Sequence, residues 1–557
     1  MAGLVVGIVA LPLAIAFAIA ASPGGDAEHT IGPGIGIITA IVAGLIISLL
    51  GGSRIQIGGP TGAFIVIIYG IVAKFGLSGL LVATILAGVM LVLMGVFRLG
   101  SVIKFIPYPI VVGFTSGIAL TIFTTQVKDL LGLTLEGGAP AAFIDKWMCY
   151  FRNITTLQWD AVAVSAVSIA IIVACTRWMK RLPGSLIAII VTTATVYFIN
   201  QSGLTHVATI GDRFGNITAS LPHINAFHLD WKSLFTDAQG HFTFNTLSAL
   251  LPSAFVIAIL GAIESLLSAT VADGVTGDHH DSNQELIGQG IANIVAPFFG
   301  GIPATGAIAR TMTNINNGAR TCIAGVVHAL VLLIIFIVAM PLAAYIPMPT
   351  LAGVLVVVSY NMSQWRTFAQ LTHRPKSDVV VLLVTFVLTV VFDLTIAIEL
   401  GLVLACLLFM RRMAEVTQLS IFTKEIDPNA DPVADIPLHE EALVIPDGVE
   451  VYEINGPFFF GVANRFEEMT AEMQDHPAIR IIRMRRVPFI DSTGVHNLEN
   501  LCLMSQRDGT QIILSGVQPK VRAVLERAGF PALIGEDNIC SHITLALERA
   551  AVLRHKS

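Results

Sequence analysis

Apolar runs long enough to cross a bilayer recur from the first residues of the chain to about Met410, and then stop. A crossing helix needs about 20 mostly apolar residues. On that measure fourteen segments are predicted, at 3–21, 33–50, 61–75, 78–96, 110–126, 157–176, 184–200, 246–271, 284–299, 306–317, 322–345, 348–364, 377–395 and 396–411. The two that open at Thr61 and Thr305 are too short to cross fully. Beyond Arg411 and Arg412 the rhythm changes. Alternation predicts strands at 449–460, 478–487 and 510–517, and amphipathic periods predict helices at Asn464–Gln474, Val495–Gln506, Lys520–Ala528 and Ile543–Ala551. A βαβα order of this kind makes a small sheet covered by helices. Thr423–Pro437 (TKEIDPNADPVADIP) is acidic and Pro-rich, as linkers are. The expected fold class is a mainly α membrane protein of fourteen spans followed by a small cytoplasmic α/β domain. Its expected divisions are a transmembrane domain over 1–418, with repeats at about 1–200 and 246–411, a linker over 419–438 and a soluble domain over 439–557.

Composition agrees with that reading. Of 557 residues 54% are hydrophobic and only 13% charged, whereas a soluble chain carries about a quarter of its residues as charges. The net charge of −6 gives no basic surface for nucleic acid. Six scattered cysteines without a CxxC pair imply neither a disulfide framework nor a zinc site. No metal, cofactor or enzymatic constellation is expected. The uncharged run from Met1 to Ala21 lacks the basic start of a signal peptide and reads as a true span. Placing the N-terminus inside collects Arg54, Arg98, Arg177, Arg320, Arg366, Arg374, Lys376, Arg411 and Arg412 on the cytoplasmic side, as the positive-inside rule requires. The even number of crossings returns the C-terminus to the same side.

Within the membrane pattern two stretches read almost alike: Gly58–Phe64 (GGPTGAF) and Gly301–Ile308 (GIPATGAI). A helix that begins inside a bilayer exposes unpaired amides, so it must face protein, water or a ligand. Two interrupted helices in corresponding halves mark a transporter built from inverted repeats. Their N-termini offer free N–H groups and positive dipole ends, which favour an anion. Gly62, Ala63, Gly306 and Ala307 are small enough to let a ligand approach the backbone. The plainer reading, two ordinary helices kinked by Gly and Pro, is weakened by the repetition. Glu264 is the only ionisable residue between Leu247 and Val271. It lies nine residues before Asp273, about 13 Å inside at the helical rise, and such intramembrane acids usually serve an ion or proton path. Arg310, five residues after Thr305, either gives positive charge to a substrate or is locked to Glu264 as a structural partner.

Together these stretches resemble the SulP anion transporters, relatives of the eukaryotic sulfate, chloride and bicarbonate exchangers and of prestin. The resemblance rests on GGSRIQIGGPTGAF, YPIVVGFTSGIAL, GAIESLLSATVADGVTG, SNQELIGQGIANIVAPFFGGIPATGAIART and a C-terminal domain with FIDSTGV that is similar to STAS. It covers nearly the whole chain, and within the family it is nearest to bacterial aerobic C4-dicarboxylate transporters. It implies two inverted seven-helix repeats, core and gate domains, and a homodimer in the bacterial inner membrane that works by an elevator motion. It also implies a substrate site between the half-helices, formed by Thr61, Gly62, Ala63, Gly306, Ala307, Ile308 and Ala309 with Phe17 alongside. Sodium-coupled members carry Asp and Thr one turn apart in the eighth span and a second Thr in the tenth. Here Glu264, Ser268 and Ile308 stand at those positions, which weakens a sodium site and favours the proton as coupling ion, with sodium left open.

The function expected on this resemblance is proton-coupled uptake of C4-dicarboxylates such as fumarate or succinate. The alternatives are a sulfate or bicarbonate carrier, an uncoupled anion channel, or a membrane-anchored STAS signalling protein. Ser492, where a strand meets a helix, is a candidate regulatory phosphorylation site, and a cytoplasmic protein partner of the STAS domain is a further expectation.

Overall fold

A computed structural model of the protein describes residues 1–23, 30–101, 107–135, 140, 142–178, 183–203, 205–215, 245–392, 394–426, 443–462 and 477–554. They fall into two compact units, Met1–Ala405 and Cys406–Ser557. The first is helical: α1 (Ala2–Ala20), α2 (Pro33–Leu50), α3 (Ile65–Val96), α4 (Tyr108–Leu131), α5 (Phe143–Arg152), α6 (Trp159–Trp178), α7 (Gly184–Ser202), α8 (Ile210–Phe214), α9 (Asn245–Thr276), α10 (Ser282–Val295), α11 (Ile308–Asn316), α12 (Ile323–Ala343), α13 (Met348–Met362), α14 (Trp365–Leu371), α15 (Lys376–Val391) and α16 (Leu394–Val416), whose residues from Cys406 onward belong to the second unit. Eight described segments are long and apolar enough to cross a membrane by themselves. The sequence predicts more, partly because α3 joins two predicted segments and α11 is a half-helix of 9 residues. The joint in α3 is Gly76, at φ 67°, a left-handed conformation that glycine adopts without a Cβ clash.

Packing sorts these helices into two groups. One gathers α1, α2, α3, α9, α10 and α12; in the other, α4 packs on α13 and α15, and α6 packs on α7 and α13. Small residues permit the tightest approaches. A Cβ at Gly88 of α3 would lie 2.7 Å from the Gly290 carbonyl of α10, and one at Gly290 would lie 2.6 Å from the Gly88 carbonyl. The helices therefore meet backbone to backbone, as small residues allow in membranes.

Two short strands, β1 (Gly58–Gly59) and β2 (Thr305–Gly306), pair antiparallel in the register Gly58 to Gly306 and Gly59 to Thr305. They join the two halves of the chain immediately before the half-helices.

The second unit is α/β. Strand β3 (Gln418–Phe422) is followed by a small pair, β4 (Glu425–Ile426) with β5 (Leu443–Val444), and then by β6 (Val449–Asn455), β7 (Ile479–Arg486), β8 (Gln511–Ser515) and β9 (Ile539–Cys540). The main sheet runs β3-β6-β7-β8-β9, with only the β3–β6 pair antiparallel. Helices α17 (Ser492–Arg507), α18 (Pro519–Arg527), α19 (Phe530–Ile534) and α20 (Ile543–Arg554) cover it. Neighbouring side chains alternate across the sheet: Ile482, Met484, Ile512 and Leu514 join the core under α17–α19, while Ile479, Ile481 and Ile513 join the core under α20. Two expectations shift here. The linker does not begin at 419, because Gln418–Phe422 pairs along β6 from Asn455 to Val451; its QLSIF alternation is a strand pattern that the neighbouring acidic stretch obscures. The helix expected at Asn464–Gln474 lies outside the described residues.

Candidate functional site

The strand pair sets the geometry. β1 leads through Pro60 and Thr61 into a 3-10 turn, Gly62–Phe64, and on into α3, while β2 leads through Ala307 into α11. Both openings lie on one cavity of about 350 Å³. Thr61, Gly62, Ala63, Gly306, Ala307, Ile308 and Ala309 all line it, as do Phe17, Glu264 and Arg310. Phe17 stands beside the first mouth, 3.3 Å from where a Gly62 Cβ would be. A helix leaves its first N–H groups without intrahelical partners. At the second mouth the Ala307 N–H is already donated to the Ile57 carbonyl (2.9 Å), so the amides available to a ligand there begin at Ile308.

Helix α9 holds both mouths. Thr61 Oγ1 donates to Glu264 Oε2 at 2.9 Å, and Thr305 Oγ1 donates to the Gly261 carbonyl, one turn earlier, at 2.8 Å. The two threonines thus perform matching tasks in the two halves. Glu264 is not locked to Arg310. The guanidinium, 2% exposed, instead donates through Nη2 to the Pro60 carbonyl. Its Nη1 is buried with no hydrogen-bond partner among the described residues. Gly59, at φ 149°, has no room for a Cβ because Arg310 Nη1 occupies that space. A cation and an acid therefore border the same cavity, each bound to a different part of the first mouth.

Ser268 does not reach the cavity. Its hydroxyl donates to Thr311 Oγ1 at 3.2 Å, and the same oxygen accepts the Ile57 N–H at 3.1 Å. Ser268 thereby supports β1 from behind.

Sequence reasoning missed the second buried acid. Glu285, fully buried, accepts from the Ser53 N–H (3.1 Å), Gln56 Nε2 (3.0 Å) and Ser265 Oγ (2.9 Å). Gln56 also donates to Ser265 Oγ at 2.7 Å and fills the space a Gly306 Cβ would take. The network thus joins the approach to β1, the residue after Glu264, and β2. Glu285 opens α10 beside the polar run DHHDSN, where it passes for a solvated end residue. In that run Asp281 caps α10, His280 Nδ1 lies 2.6 Å from Asp273 Oδ2, and no metal-binding group occurs among the described residues. Asn361, Met362 and Gln364 also line the cavity, from α13 and the residues after it; a single sequence holds no signal for them.

Ser492 is exposed in the first turn of α17. The helix N-terminus is already occupied, since Asp491 accepts from the Gly494 N–H at 2.8 Å and the Phe460 N–H at 3.1 Å.

Fold and site together define an anion transporter followed by a separate α/β domain. The model of the sulfate permease family matches residues 1–385, that of the STAS domain matches residues 442–548, and the chain belongs to the sulfate permease family. It is similar to the "Putative sulfate transporter YvdB" of Bacillus subtilis (38% identical, covering 97% of this chain and 95% of that one). It is also similar to the "Bicarbonate transporter BicA" of Picosynechococcus (29%, covering 94% and 89%). Among solved structures, the transmembrane domain of a cyanobacterium bicarbonate transporter BicA superimposes with TM-score 0.59 at 26% identity, over 73% of this chain and 96% of that one. Murine Solute Carrier 26 family member A9 in its inward-facing state gives TM-score 0.82 at 18% identity, over 99% and 90%, a likeness of fold. The chain is a multi-pass membrane transporter of this family and not an enzyme.

Proposed function

We propose that the chain is a secondary active carrier of a small oxyanion, sulfate foremost and bicarbonate second, coupled to the proton through Glu264. The observation that carries this reading is one cavity bordered by two helix N-termini, a buried guanidinium and a half-buried carboxylate. Dipole ends and Arg310 attract an anion. Glu264 completes the arrangement, since an acid beside an anion site favours loading the two together when the acid is protonated. Sodium is disfavoured because Ile308 offers no side-chain oxygen and the Ser268 hydroxyl is engaged with Thr311. The relatives named above carry sulfate and bicarbonate in their names, which moves the reading away from the C4-dicarboxylates that the sequence resemblance favours.

In this reading the helices around α3 and α11 carry the anion past those around α4 in an elevator motion, within a homodimer in the bacterial inner membrane, both termini in the cytoplasm. The STAS domain is a site for a cytoplasmic protein partner. The test is uptake of labelled sulfate, bicarbonate and fumarate into proteoliposomes under an imposed proton or sodium gradient. Proton-driven sulfate accumulation is expected. Accumulation driven by sodium alone overturns the coupling assignment, and uptake of fumarate alone restores the dicarboxylate reading.

A further inference from the structure

A second cavity, of about 320 Å³, begins one turn further along α3 from the first mouth, at Ile65 and Val66, and continues past Tyr69 to Lys74. Its other walls are Thr121, Thr124 and Thr125 of α4, the start of α5 and the C-terminal end of α15. The substrate cavity reaches the C-terminal end of α13, and α14 links that end to the start of α15. The two cavities therefore open toward opposite ends of the helix bundle. Ile65, 1% exposed, and Ile122, fully buried, stand between them, Ile122 lying 3.5 Å from where a Gly62 Cβ would be.

Lys146 of α5 projects into this second space. The residue is 4% exposed and also lines a smaller adjoining cavity with Asp129 and Arg213. Among the described residues its ammonium has no hydrogen-bond acceptor and no ion-pair partner; it lies over the face of the Tyr69 ring, 4.9 Å from the ring centre. The nearby carboxylate, Asp129, faces Arg213 at 3.7 Å, and among the described residues no acid lines the larger cavity. A cation–π contact recovers less than the hydration that a buried ammonium gives up. Thr121, Thr124 and Thr125 donate to carbonyls of their own helix, and none of their hydroxyls accepts from Lys146 among the described residues. Among the described residues, no unpaired carboxylate faces Lys146. Burial lowers its pKa to about 8, which leaves it charged at neutral pH.

We propose that this cavity is an antechamber in which Lys146 holds the transported oxyanion before it passes Ile65 and Ile122 to the twin helix mouths. The inference rests on the carrier reading above and adds a second anion site at the end away from the first. The groups facing Lys146 from its neighbours are Tyr69 and Lys74 of α3, Lys128 and Asp129 of α4, Tyr150 of α5, and Arg213. None of them supplies a free carboxylate among the described residues.

The test compares wild type, Lys146→Met and Lys146→Arg as full-length protein in proteoliposomes of determined orientation, with labelled sulfate offered from each face in turn. Lys146→Met is expected to raise KM for entry from the Lys146 face about tenfold, the loss of one charge-assisted contact, and to leave KM from the opposite face unchanged; Lys146→Arg keeps the wild-type values. An unchanged KM from the Lys146 face, or an equal rise from both faces, overturns the antechamber. A second readout needs no transport. Selenate soaked into crystals of the full-length protein is expected to give anomalous density beside Lys146 Nζ, and its absence there overturns the proposal. A wild type that moves none of the anions while selenate sits on Lys146 overturns the carrier reading instead.

Discussion

Glu264 borders the cavity on a hydrogen bond from Thr61, with no cation paired to it among the described residues, and the coupling role proposed for it is one that a glutamine can fill only in part. Glutamine keeps the size and accepts the same hydrogen bond, but it neither gains nor loses a proton. Glu264→Gln is therefore expected to abolish proton-driven accumulation of sulfate while counterflow exchange persists near the wild-type rate. Measuring both in one proteoliposome preparation decides it: accumulation that still follows the proton gradient moves the coupling group elsewhere. Position 264 was legible in the sequence because one acid stood alone in a long apolar run. Glu285 was not, because its partners Ser53, Gln56 and Ser265 come from distant parts of the chain and only the fold brings them together.

The half-helices were readable as elements, since the repeated TGA and the short apolar runs mark where each begins. The strand pair that fixes their spacing was not, because two residues on each side are too few to make a pattern. At this scale glycine is the vulnerable position. A Cβ at Gly306 collides with Gln56, which Ser265 and Glu285 hold in place, so the strands must part or the network must break. Gly306→Ala is expected to cost about 1–3 kcal/mol of stability, as overpacking does, and to weaken sulfate binding together with it. Thermal unfolding and calorimetry on the same sample test this; a variant that binds as tightly as wild type shows that β2 yields without moving α11. Larger side chains at Ala63 or Ala307 act more directly, by filling the cavity, and unchanged affinity in Ala63→Leu and Ala307→Leu together would place the anion elsewhere.

Every residue assigned to the anion precedes the second compact unit, so a chain ending at Thr417 should still bind sulfate. That end point follows α16 and removes β3 together with its partner β6, leaving no orphan strand. Calorimetry of a monodisperse truncated protein checks it, and complete loss of affinity would make the STAS domain part of the site's support. The strand pair carries a further consequence, for how the molecule is made. Ile57 and Thr311, hydrogen-bonded in the finished site, are 254 residues apart. A ribosome adding about 5–20 residues each second needs roughly 10–50 seconds to cover that distance. Throughout that interval the first mouth is in the membrane without the backbone that satisfies it, and the insertion machinery or water must stand in for the second half. A cysteine at position 57, fully buried in the finished protein, should accept a maleimide in nascent chains stalled before Thr305 and resist it once α11 has emerged. Protection already present in the stalled chains would mean that the first half closes on itself while it waits.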